Sequence, residues 1–258
     1  MSDSHRITLA TEGLGIRFGG HQAVQDVTAS FRAGELTAIV GPNGAGKTTY
    51  FNLISGQLAA TSGSVRLHGQ DVTSFSAARR TRLGIGRAFQ LTNLFPQLSV
   101  QENIRLAVQS RAGVGMRMFS VWSEQKAVNQ RTAQILEQVT MGPLRDQIAA
   151  TLSHGNQRKL EVAMLLALDP EIFMFDEPTA GMSVDEVPVL LELIHQIKAM
   201  RDKTVLLVEH KMDVIGALAD RIIVLHQGCL MADGDPAEVM ALPLVQQAYL
   251  GSTGVRHE

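Results

Sequence analysis

The chain has 258 residues, 45% of them hydrophobic and 19% charged, and its formal net charge is -2. This is the balance of a globular protein of one large domain, or of one domain with a subdomain, with no basic surplus that would point to nucleic acid. No apolar run approaches the ~18 residues of a membrane span, the first ten residues lack the apolar core of a secretory signal, and the single cysteine, Cys229, allows no internal disulfide and reads as a buried, inert thiol.

From Ile7 to His68 the pattern is mostly β-structure. Leu36, Ala38, Ile39 and Val40 read as a buried strand, and Thr48 to Leu58 as a helix with Phe51, Leu53, Ile54 and Leu58 on its apolar face. Between strand and helix lies Gly41-Pro42-Asn43-Gly44-Ala45-Gly46-Lys47-Thr48, a phosphate-binding loop in its expected context. Its glycines let backbone N–H groups approach phosphate oxygens, and the helix N-terminus adds a field favourable to anions. Lys47 is expected to reach the β- and γ-phosphates and the Thr48 hydroxyl to ligate Mg²⁺. Thr49 reads either as a second phosphate contact or as a plain helix N-terminal residue.

Ser64 to Gly69 reads as a short strand ending in a turn. From Gln90 to Thr151 the α/β alternation is interrupted. Ser99-x-x-Glu102 is a capping box that opens one helix, and Val128, Ile135, Leu136 and Val139 share a face of a second. The connector between them, around residues 112–123, carries Met116, Met118, Phe119 and Trp122. It reads as a partner surface or as a cover for its own helices. Ser153 reads as the N-cap of a helix carrying Leu160, Ala163, Met164, Leu165 and Ala167.

Ile172 to Phe175 reads as a buried parallel strand that ends in Asp176-Glu177. Carboxylates at the carboxyl end of such a strand stand where open α/β sheets bind ligands. Asp176 is placed to hold Mg²⁺, directly or through water, and Glu177 to polarise the attacking water. Two acids suit hydrolysis of ATP better than transfer to an acceptor. Beyond them come a helix around residues 185–200 with Pro188 in its first turn, a strand from Val205 to Val208, a hairpin around Gln227-Gly228 and a tail helix after Pro236.

In this order the motifs resemble the ATP-binding subunits of ABC transporters, over nearly the whole chain from Ile7 to Gly251. The resemblance implies a P-loop NTPase α/β core with a mostly parallel sheet, an antiparallel β subdomain and an inserted helical subdomain. The expected division is residues 1–90 and 160–258 for the core and 91–159 for the helical, signature-bearing part. The segment Leu152-Ser153-His154-Gly155-Asn156 fills the place of the family's Leu-Ser-Gly-Gly-Gln. Ser153 and Gly155 are kept, and the resemblance implies that they meet the γ-phosphate held by a second subunit, so that nucleotide is sandwiched between two chains. His154 departs from the pattern, and both contact with that nucleotide and solvent exposure remain open for it; the role of Asn156 is open too. By the same resemblance Phe18 stacks on the adenine. Gln90 reaches Mg²⁺ and the water and reports to the transmembrane partner. His210 contacts the γ-phosphate and supports Glu177. Ala180-Gly181-Met182-Ser183 fills a dimer-contact loop, with serine where many relatives carry an acid.

Finer features, "GIGRAFQLTNLFPQLSVQENIRLA", "DEPTAGM" and the C-terminal "AYLG", resemble the uptake family for hydrophobic, branched-chain amino acids. Importers of urea or short-chain amides remain an alternative, as does an ABC-type ATPase acting on a soluble complex. The implied partners are transmembrane permease subunits, a second ATPase subunit that is identical or paralogous, and, indirectly, a periplasmic or extracellular solute-binding protein, with no nucleic acid. The implied location is the cytoplasmic face of the inner membrane, and the implied ligands are ATP and Mg²⁺.

Overall fold

The computed structural model describes residues 6–88, 94–112 and 122–250. The chain opens with β1 (Ile7–Phe18), β2 (His21–Arg32) and β3 (Leu36–Val40), followed by α1 (Lys47–Ser55). Next come β4 (Ser62–Leu67), β5 (Gln70–Asp71), α2 (Ala77–Arg82) and β6 (Ile85–Ala88). Helices α3 (Val100–Ala112), α4 (Trp122–Gln138) and α5 (His154–Leu168) precede β7 (Ile172–Asp176) and α6 (Val187–Ala199). The chain continues with β8 (Thr204–Val208), α7 (Met212–Leu218), β9 (Arg221–His226), β10 (Cys229–Gly234), α8 (Pro236–Met240) and α9 (Pro243–Leu250).

These elements fall into two compact units, one built from the residues up to Ile85, Glu171–Glu177 and the chain from Ile194 on, the other from Gly86–Pro170 and Pro178–Leu193. In the first unit an antiparallel sheet runs in the order β2-β1-β4-β5, and a second sheet contains the run β10-β9-β3-β8-β7. Strand β3 is parallel to both β8 and β9, and β7 is parallel to β8. Every residue of β3, β7 and β8 is buried. That is why these strands read as continuous apolar runs and not as alternations. Their side chains divide between two cores. Ile39 joins Tyr50, Phe51, Leu53 and Ile54 of α1 together with Leu9, Val24 and Val65 of the antiparallel sheet. Ala38 and Val40 point the other way, to Ile215, Val239 and Val245. Helix α1 is thus fixed in a core fed by both sheets.

Helix α1 ends three residues before the expected Leu58. Gly56 adopts φ 79 there and its N–H closes on Asn52 and Leu53 carbonyls. A left-handed glycine stops a helix at no steric cost. Leu58 still packs on the core from the following turn. The tail forms two short helices where one was expected, because Pro243 starts a new one after Leu242. Cys229 is exposed at the start of β10, which corrects the expectation of a buried thiol: it stands at the mouth of the hairpin turn, not on the core face.

In the second unit the capping box is formed in both directions. The Ser99 N–H donates to Glu102 Oε2 and the Glu102 N–H to Ser99 Oγ, each at 3.2 Å. Val128, Ile135, Leu136 and Val139 are buried as the periodicity predicts. Asn103, also fully buried, accepts the Phe95 N–H at 2.7 Å and donates to the Ser99 carbonyl at 2.9 Å, tying the approach to α3 onto the helix itself. Gln90, Met116, Met118 and Phe119 lie outside the described residues.

Candidate functional site: a phosphate loop and its carboxylates

The loop from Gly41 to Gly46 leaves β3 and enters α1, and two of its glycines answer to the protein's own backbone. Gly41 has φ 145, and a Cβ there would stand 2.1 Å from the Leu225 carbonyl oxygen. Gly46 has φ 97, and its Cβ would stand 2.6 Å from the Ala23 carbonyl oxygen. The loop is therefore pressed against β9 and β2 as well as shaped for a ligand. The hairpin turn braces it further: the Gly228 N–H donates to the Ala45 carbonyl at 3.0 Å, and the Gln25 N–H to the Gly228 carbonyl at 2.8 Å.

Gly46 caps α1 with no side-chain bond, so the first N–H groups of the helix face the loop without an internal acceptor side chain. Lys47 is only 8% exposed. Its Nζ donates to the Gly41 carbonyl at 2.7 Å and to the Pro42 carbonyl at 3.1 Å. Burial pushes its pKa down, while the charges of Glu177 and Asp176 pull it back up. One buried cation therefore sits within the field of both carboxylates. A cleft of about 350 Å³ opens here, lined by His21 and Ala23, by the loop and helix start from Asn43 to Thr49, and by Glu177. Its shape and its single buried ammonium suit a phosphate chain.

The far end of α1 is fixed as firmly. Arg80 is 2% exposed, and its guanidinium donates to the Leu53 carbonyl at 2.6 Å, Ile54 at 2.7 Å, Thr73 at 2.6 Å and Phe75 at 3.1 Å. A cation on the last carbonyls of a helix complements the dipole as well as the hydrogen bonds. Tyr50, on the same helix, shares a 2.7 Å hydroxyl bond with Thr11 of β1. Burial raises its pKa, so it stays a neutral anchor.

The carboxylates lie where the sheet ends. Asp176 closes β7 and is buried. Glu177, the next residue, has φ 48, and its N–H donates to the Val208 carbonyl of β8 at 2.9 Å. A glutamate held in the left-handed region carries backbone strain of about 1 kcal/mol or more, and that turn carries its half-exposed carboxylate out of the buried strand. His210 follows β8. Its Nδ1 is 3.9 Å from Glu177 Oε1 and 3.5 Å from Glu209 Oε2. Glu209 is fully buried, and its Oε2 also accepts the His210 N–H at 2.8 Å. The histidine is thus flanked by two acids.

Of the residues expected at the site, this unit brings together the loop from Gly41 to Thr49, Asp176, Glu177 and His210. Phe18 ends β1 opposite His21 and is 49% exposed. The cleft beside the loop is lined by His21 and Ala23, not by Phe18. Ser153 and Gly155 stand in the second unit. The Asn156 N–H donates to Ser153 Oγ at 3.2 Å, which makes Ser153 the N-cap of α5. His21, Arg80 and Glu209 carry no motif; of the three only Glu209 has a neighbour that marks it, His210, just past the end of β8.

The model of the family described as "ABC transporter" matches residues 24–180. The high-affinity branched-chain amino acid transport ATP-binding protein LivG of Salmonella typhimurium is 36% identical over 94% of this chain and 97% of its own length. The high-affinity branched-chain amino acid transport ATP-binding protein BraF of Pseudomonas aeruginosa is 36% identical over 95% of this chain and 98% of its own. Among solved structures, the ADP conformation of MJ1267, an ATP-binding cassette of an ABC transporter, superposes with a TM-score of 0.81 at 27% identity, covering 95% of this chain and 99% of that one. The chain belongs to the ABC transporter family and has the α/β fold of its ATP-binding, ATP-hydrolysing subunits.

Proposed function

We propose that this chain is the ATPase subunit of an importer for branched-chain or other hydrophobic amino acids. The substrate class rests on the likeness to LivG and BraF. The observation that carries the catalytic reading is the meeting of Lys47, Asp176, Glu177 and His210 in one unit, at the carboxyl ends of β3, β7 and β8.

In this reading Lys47 and the N–H groups at the start of α1 hold the β- and γ-phosphates of ATP, with Thr49 beside them. Lys47 leaves its loop carbonyls as the phosphate arrives. Thr48 and Asp176 offer the hydroxyl and carboxylate oxygens that a hard cation prefers, so they would hold Mg²⁺. When bound, that ion neutralises charge developing on the phosphate oxygens. Glu177 accepts a proton from the attacking water. His210, whose backbone N–H is held by Glu209, donates toward the γ-phosphate and holds Glu177 in place. Phe18 meets the adenine from the exposed end of β1, and Gln90 serves the cation and the water. Ser153 and Gly155 meet the γ-phosphate of a second ATPase subunit, identical or paralogous. Two such subunits close on ATP, open on hydrolysis, and drive permease subunits at the cytoplasmic face of the inner membrane, which receive solute from a binding protein outside. Among the described residues no helix is long and apolar enough to cross a membrane.

Isolation of membranes from a strain expressing the tagged chain tests this. Recovery of an integral membrane protein with the chain, and loss of branched-chain amino acid uptake in its absence, are expected. A chain recovered free of membrane protein, with uptake unchanged, contradicts the reading.

A further inference from the structure

The start of α5 holds an internal anion. Ser153 Oγ donates to Glu186 Oε1 at 3.1 Å while it accepts the Asn156 N–H at 3.2 Å, so its one proton is already committed. Glu186 Oε2 accepts the Ser183 N–H at 3.2 Å, and the Glu186 N–H donates to the Ser183 carbonyl at 3.1 Å. The carboxyl group lies directly over Gly155: a Cβ there would stand 2.1 Å from Glu186 Cδ. The Ser183 N–H first, then the Ser153 and Ser183 hydroxyls and the nearby His154, hold the Glu186 carboxyl below the usual range, so it is ionised at neutral pH. A carboxylate on a serine cap, above a glycine, at the N-terminus of a 15-residue helix, has the charge and the contacts of a phosphate oxygen pair.

We infer that Glu186 is a built-in competitor for the phosphate seat of α5: its carboxylate positions Ser153 in the unpaired chain and must be displaced before that serine can turn to the nucleotide of a second subunit. This rests on the reading of Ser153 as a phosphate contact. Two anions cannot share one hydroxyl proton and one helix terminus without repulsion, so Glu186 sets how much ATP is needed to close the pair. Glu186 thereby acts through Ser153 as a positioning residue, with a threshold for closure built into the same helix start.

The test is ATP-driven pairing, followed by sedimentation velocity over a MgATP series in the hydrolysis-slowed Glu177→Gln protein, alone and mixed with the second ATPase subunit of the transporter. Glu186→Gln keeps the shape and an acceptor for the Ser183 N–H but removes the charge. It is expected to lower the MgATP concentration of half-pairing about fivefold, the size of a charge at a helix terminus. Glu186→Asp keeps the charge but draws the carboxylate back from Ser153, and should lower it about twofold. Thermal unfolding of each variant separates a shift in the midpoint from a loss of fold. Pairing that is indifferent to both substitutions, or weakened by them at unchanged unfolding temperature, overturns the inference alone. Absence of pairing in every protein at any MgATP concentration overturns the sandwich reading and the inference with it.

Discussion

Helix α1 begins at Gly46 with no side-chain cap, whereas α5 begins at Ser153, whose hydroxyl both caps the helix and donates to Glu186. The first terminus is open and rigid. Its loop glycines abut Leu225 and Ala23 carbonyls, its lysine is tied to two loop carbonyls, and the other end of its helix is gripped by Arg80. The second terminus is filled and adjustable: the contacts of Ser153 and Glu186 are partly exposed side chains. A helix N-terminus inside a buried scaffold can wait for phosphate with its donors free, because neighbouring backbone holds their positions. A terminus near the surface satisfies itself with a nearby carboxylate and gives that up only when a better anion arrives.

The sharpest way to break the contrast is to remove the cation of the open terminus. Lys47→Ala should abolish turnover and weaken ATP binding by at least about 100-fold, since a buried charge-assisted contact to phosphate is lost. Titration with a fluorescent ATP analogue measures it, and equal affinity for the two proteins would remove Lys47 from the site. Ser153→Ala should leave first-site binding within about twofold and weaken pairing instead, at the cost of a helix cap of about 1 kcal/mol.

Rigidity is tested next. Gly41→Ala forces a Cβ against the Leu225 carbonyl at a left-handed φ, and a loss of about 2–4 kcal/mol in denaturant unfolding is expected. Arg80→Met takes the guanidinium away from the Leu53 and Ile54 carbonyls. It should lose about 2–3 kcal/mol and weaken ATP binding with it. A variant that binds ATP like the parent despite that loss would separate the anchoring of α1 from the loop's function.

The smallest effect belongs to the filled terminus. Glu186 has its carboxyl held below the ordinary range, so the folded chain binds fewer protons there than the unfolded one. Its contribution to stability is complete above the ordinary glutamate value of about 4.3 and fades as the pH falls through the lower, folded value. The stability difference between the parent and Glu186→Gln should therefore be constant from pH 8 to about pH 5 and shrink in more acid solution. A difference that grew as the pH fell would contradict an ionised Glu186 in the native state.

The open terminus was legible in the sequence because its chemistry is local. A strand, a glycine loop and Lys47-Thr48 follow one another without a gap, and Asp176-Glu177 ends a second apolar run. The filled terminus was legible only in half. Ser153 announced itself as a cap, but Glu186 lies 33 residues away and reads as one of the two acids in "MSVDEVP". Arg80 was hidden in the same way: "SAARRTR" looks like a solvated helix, and only the fold carries one of its arginines to the carbonyls of α1. Backbone acceptors leave no mark on a sequence. The apolar pattern puts the end of α1 three residues too late because Leu58 continues it past the left-handed Gly56. Cys229 reads as buried and is exposed, because one thiol among apolar neighbours does not reveal which end of a hairpin it faces.

The open terminus with its carboxylates is read as a site where binding and chemistry belong to different residues, and one substitution measures that most directly. Glu177→Gln leaves Lys47, Thr48, Asp176 and the loop unchanged while it removes one of the two negative charges beside His210. Binding of MgATP and release of phosphate are measured on the same preparation beside the parent. The expected result is affinity within about twofold of the parent and hydrolysis slower by at least ~100-fold, the size of a general-base contribution. Hydrolysis at the parent's rate, with affinity retained, would contradict the assignment of the water-activating role to Glu177.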